Sequence, residues 1–109
     1  MAYLYLAIAI IAEVVGTSAL KASREFTSLV PSLLVVAGYG VSFYFMTLAL
    51  RSIPIGITYA VWSGVGIVLI AIVGALLYNE IPDLPAIIGM GLIISGVAVI
   101  HVFSRTVAH

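Results

Sequence analysis

Cysteine is absent, and with it go any disulfide framework and any thiolate metal site. Charge is scarce as well. Four Lys+Arg and four Asp+Glu make up 7% of 109 residues, where soluble domains carry roughly a quarter. The charges cancel to zero, which removes the basic face that a nucleic-acid partner needs. What remains is apolar: 64% of the residues are hydrophobic, and mean hydropathy is +1.35. A small fold leaves much of its surface outside, so this composition asks for lipid rather than water. The first apolar run follows no basic n-region and no A-x-A cleavage site. It therefore reads as a retained helix rather than a cleaved signal.

The few charges cut the chain into four blocks. Residues 2–20 hold only Glu13, residues 26–50 and 52–79 hold no charge, and residues 84–104 hold only His101, which can be neutral. A membrane span takes about 20 apolar residues. Each block suits one helix, and the alternating polarity of barrel strands is missing. The blocks predict helices near 3–20, 31–50, 56–77 and 84–103. Pro31 falls where a first helical turn tolerates proline, and Asp83 is placed to cap the fourth helix. Connectors this short make neighbouring helices antiparallel. The expectation is one all-α membrane domain over residues 1–109, with both termini on one side.

Orientation is nearly undetermined. Basic residues in short loops normally face the cytoplasm. Arg51 and Arg105 fall on the side of the termini, and Lys21 and Arg24 on the other. Either a weak bias such as the N-terminal amine decides, or the protein inserts both ways.

Glu13 lies near the bilayer midplane, where an ionised acid costs roughly 2.5–3.5 kcal/mol on insertion scales. None of the four spans carries a basic side chain to neutralise it, apart from His101 near the end of the fourth. It is either a functional group or a protonated acid in one interhelical hydrogen bond. Leu6, Ala9, Ile10, Gly16, Thr17 and Leu20 share its face by helical spacing. The small ones leave room for a ligand, and equally let helices pack closely. Tyr59 and Trp62, three apart, share a face of the third helix, and Tyr39 lies inside the second. An aromatic face beside a carboxylate attracts an organic cation; such rings also simply pack between helices. Tyr3 and Tyr5 suit an interfacial belt. Gly64 and Gly66 either let the third helix bend or let a neighbour approach. In the fourth helix Gly89 and Gly96, and Gly91 with Ser95, are helix-association signals. His101 and His109 read as interfacial or solvated. Metal-ligand spacing, nucleophile–base pairs and phosphate loops are all missing, so neither catalysis nor a metal or cofactor is expected.

Four helices are too few to surround a drug-sized ligand and close it off on either side. A homodimer supplies eight helices and two copies of Glu13. Protons and an organic cation then compete for one pair of carboxylates. Exclusive occupancy combined with a bistable packing yields exchange, protons in and cation out, with a proton gradient as the energy source.

These residues resemble the small multidrug resistance family of transporters along nearly the whole chain. The matching stretches are A-E-V-V-G-T (12–17), Lys21, F-T (26–27), P-S (31–32), S-F (42–43), I-P-I-G-I-T-Y-A-V-W-S-G-V-G (53–66) and D-L-P-A-I-I-G-M (83–90). The resemblance implies an antiparallel, dual-topology homodimer in the bacterial inner (plasma) membrane. It implies proton-coupled export of hydrophobic, often quaternary ammonium, cations. It makes Glu13 the shared proton and substrate site, with Leu6, Ala9, Ile10, Thr17, Tyr39, Tyr59 and Trp62 around it. It makes Gly64 to Gly66 a hinge, and Gly89 and Gly96 a dimer contact. Gly16-Thr17 and W-S-G are similar to the multidrug branch rather than the guanidinium-exporting one, which tends to place Trp at position 16. Tyr44 and Ile81 stand where a multidrug member has Trp and Arg. The rival readings are a guanidinium or polyamine exporter and a non-transporting subunit that recruits a partner through its fourth helix.

Overall fold

The computed structural model describes residues 1–103; Arg105 and His109 lie outside the described residues. Four α-helices follow one another: α1 (Ala2–Ala22), α2 (Leu29–Ala49), α3 (Ile55–Tyr78) and α4 (Leu84–Phe103). Their ends fall within two residues of those expected from the charge pattern. All four are long and apolar enough to cross a membrane. At 1.5 Å per residue, the shortest, of 20 residues, is about 30 Å long, which matches a hydrocarbon core.

The ends have local causes. Pro31 sits in the first turn of α2, where no intrahelical donor is lost. Asp83 Oδ1 accepts the Ala86 N–H at 3.0 Å, capping α4. Helix α3 stops at Asn79, which is left-handed at φ 55°, a conformation asparagine tolerates. The turn brings the Glu80 N–H to the Gly74 carbonyl at 3.0 Å. A Cβ on Gly74 would lie 3.6 Å from Glu80 Oε1, an ordinary contact.

The first connector is more constrained than its polar composition suggested. Arg24, Glu25 and Phe26 are left-handed in succession, at φ 49°, 61° and 65°. That costs roughly 1–2 kcal/mol for each residue. Ser23, 1% exposed, holds the turn together. Its hydroxyl donates to the Leu20 carbonyl at 2.6 Å and accepts the Phe26 N–H at 3.2 Å. Its carbonyl accepts the N–H groups of Thr27 and Ser28 at 2.9 and 3.0 Å.

Packing sorts the chain into two helical hairpins, Met1–Arg51 and a second beginning at Ser52. In the first, α1 and α2 meet at two glycines. A Cβ on Gly38 would lie 2.8 Å from the Ala12 carbonyl oxygen and 2.9 Å from the Gly16 nitrogen. Those are backbone atoms that cannot step aside, so only glycine fits. A Cβ on Gly16 would lie 3.5 Å from the Val35 carbonyl oxygen and 3.4 Å from the Tyr39 nitrogen. Of the two readings of Gly16, close helix approach is what the structure displays.

The second hairpin has one comparable contact. A Cβ on Gly64 would lie 2.5 Å from a methyl of Val97 in α4. The third helix runs unbroken from Ile55 to Tyr78 through both glycines. Elsewhere α4 buries no residue, and Gly89, Gly91 and Gly96 meet nothing within 4 Å among the described residues. Ser95 turns its hydroxyl back onto the Gly91 carbonyl at 2.8 Å.

Candidate functional site

Helix α1 lifts a single carboxylate into the middle of the first hairpin. Glu13 is half-buried. On the same face stand Ala9 and Ile10 one turn before it and Leu6 two turns before it, exposed by 0%, 3% and 1%. One turn after it stands Thr17, whose hydroxyl donates to Glu13 Oε1 at 2.5 Å. The i, i+4 spacing of a helix sets this contact. The same Thr17 oxygen lies 2.7 Å from the Tyr39 hydroxyl of α2. The crossing at Gly16 and Gly38 makes that reach possible, because it lets the helices touch backbone to backbone one residue away from each partner. Three of the expected residues thus form one hydrogen-bonded chain, carboxylate to alcohol to phenol.

Phe43 stacks on the Tyr39 ring, with centroids 6.1 Å apart and planes 16° apart. The phenol is therefore held at its ring while its oxygen points to Thr17. Ser42 was not anticipated as part of this neighbourhood. It is 0% exposed, and its hydroxyl has no hydrogen-bond partner among the described residues. It falls three positions after Tyr39 and four after Gly38, on the α2 face that meets α1. A buried hydroxyl without a partner costs roughly 1–3 kcal/mol. Serine is common in spans as a packing residue, so beyond the S-F match at 42–43 nothing in the sequence marked it for this site.

The remaining expected residues lie in the second hairpin. Tyr59 and Trp62 meet edge to face, centroids 5.2 Å apart and planes at 87°. Tyr59 is 62% exposed and Trp62 is half-buried. The pair leaves aromatic surface exposed on its helix. Gly64 and Gly66 are buried on α3, two and four positions beyond Trp62. Among the described residues no group of three or more His, Cys, Asp or Glu could hold a metal ion.

Comparison with known proteins gives a consistent picture. Residues 1–93 match the family model described as Small Multidrug Resistance protein. The chain is 56% identical over 107 residues to the quaternary ammonium compound-resistance protein QacF of Klebsiella aerogenes, covering 98% of this chain and 97% of the relative. It is 51% identical over 107 residues to the quaternary ammonium compound-resistance protein QacE of Escherichia coli, with the same coverage. It is 49% identical over 107 residues to the multidrug transporter EmrE of Escherichia coli K12, again with 98% and 97% covered.

Proposed function

The chain belongs to the small multidrug resistance family, and on that premise we propose that it exports hydrophobic organic cations in exchange for protons. It is a multi-pass protein of the bacterial inner membrane, with four helices able to span it. The observation that carries the reading is the half-buried carboxylate of Glu13 in mid-span, held by the Thr17 hydroxyl at 2.5 Å. One acid offers one negative charge, which a proton or a cation can neutralise, but not both together. Within the first hairpin Leu6, Ala9 and Ile10 supply apolar wall and Thr17 and Tyr39 polar contact; within the second, Tyr59 and Trp62 supply aromatic faces. Quaternary ammonium resistance in the relatives QacF and QacE supports that cation class.

Two copies of the chain are part of the proposal. Helix α4 buries nothing, and open glycines at 89 and 96 suit close approach by a second helix. Balanced connector charges support antiparallel copies in opposite orientations. Gly64 to Gly66 would let α3 alternate between two bends. The transmembrane proton gradient is the energy source, and neither a cofactor nor an enzymatic step is involved.

The test is proton release. Adding tetraphenylphosphonium to purified protein in weak buffer should acidify the solution, and Glu13→Gln should abolish both the release and the pH dependence of binding. Equal release from Glu13→Gln would overturn the reading.

A further inference from the structure

We propose that Thr17 is a positioning residue whose single hydroxyl hydrogen relays the charge state of Glu13 to the phenol of Tyr39. The reasoning is a count of hydrogens. A hydroxyl has one hydrogen to donate and can accept others, whereas an ionised carboxylate can only accept. With Glu13 ionised, Thr17 spends its hydrogen on Oε1, across the 2.5 Å contact. The 2.7 Å contact to Tyr39 must then be donated by the phenol. With Glu13 protonated, the acid has a hydrogen of its own to donate. Thr17 accepts it and turns its own hydrogen toward Tyr39. The phenol becomes an acceptor, and its hydrogen is released toward the ligand space.

The geometry allows this reversal without moving a heavy atom. The stacked Phe43 ring holds Tyr39 in place, so the change is a rotation of two O–H bonds. Nothing charged on the neighbouring helix competes. The titratable side chains of α2 are Tyr39 and Tyr44, and those of α1 besides Glu13 are Tyr3, Tyr5 and Lys21. Tyr44 is 61% exposed and edge-on to Phe45. Lys21 is eight positions from Glu13, at the end of its helix. The consequence is that the polar lining offered to a cation changes with the proton: a phenol oxygen committed inward when Glu13 is ionised, an outward O–H donor when it is not.

The inference rests on Glu13 exchanging a proton, as in the reading above, and its test follows that step separately. The protein is labelled at the tyrosine Cζ and glutamate Cδ carbons in lipid bilayers, with Tyr39→Phe assigning the Tyr39 signal. At a pH where the Glu13 carbon reports ionisation, Glu13→Gln is compared with the parent. Its amide donates as the protonated acid would. The Tyr39 signal should shift on Glu13→Gln when Thr17 is present. The shift should vanish in a Thr17→Val background and return with Thr17→Ser. An equal Tyr39 shift with and without the hydroxyl overturns the relay, as does no shift when Thr17 is present. If Glu13 ionises at no pH, proton exchange itself fails and the relay with it. A Thr17→Val protein that does not fold leaves the Thr17→Ser arm. There, a Tyr39 response to Glu13→Gln lost despite the retained hydroxyl would overturn the relay.

Discussion

Glu13, Thr17 and Tyr39 are three ordinary residues made unusual by where a helix crossing puts them. Thr17 is four positions from Glu13, so their contact follows from helical spacing alone. Tyr39 is 22 positions from Thr17, and its place in the chain depends on the register of α2 against α1. Ser42 belongs to the same register and carries a prediction. Its hydroxyl is buried without a partner among the described residues, so losing that hydroxyl should not destabilise the fold. Ser42→Ala should keep or raise the thermal unfolding midpoint in detergent while weakening tetraphenylphosphonium binding. A lowered midpoint with unchanged binding would assign Ser42 to packing alone.

At the scale of the element, glycines decide how closely helices approach. Two of them had two readings each, room for a ligand or closeness at Gly16, flexibility or closeness at Gly64. Which one applies depends on the atoms opposite, and those belong to another helix. Gly64 meets Val97, whose branched side chain has little rotameric freedom in a helix. Gly64→Ala should therefore overpack the contact and cost about 1–3 kcal/mol, measured by unfolding in detergent. Val97→Ala in the same protein should recover most of it. If α3 must also bend at this glycine, as proposed, the double variant will be stable but slow in transport assays. Recovery of both properties would reduce Gly64 to a packing residue.

On the scale of the whole molecule, the open side of α4 and the balance of charge point the same way. Among the described residues Gly89 and Gly96 meet nothing within 4 Å, which suits the second copy proposed above. Two basic residues fall in the connectors and tail of each side, so one added charge should tip the insertion. Ser52→Lys in the second connector and a matched lysine in the first should each pin one orientation, read from reporters at the C-terminus. Either variant alone should lose cation resistance, and the two expressed together should regain it. Resistance retained by a single pinned variant would dismiss the antiparallel pair.

The placement and number of helices were decided by the sequence itself, because charge is so costly in hydrocarbon that its absence marks each span. The isolation of Glu13 and the neighbours on its own helix face were equally legible, since both depend only on order along one helix. The Tyr39–Thr17 contact, the burial of Ser42, the Gly38 crossing and the Val97 methyl over Gly64 were decided by tertiary structure. The left-handed run Arg24–Phe26 was decided there too, held by a serine turned back on its helix. Each depends on which atoms a second segment brings near. A linear pattern of apolar residues carries almost none of that information, because in lipid every face of a span is apolar and none is marked as the one that packs.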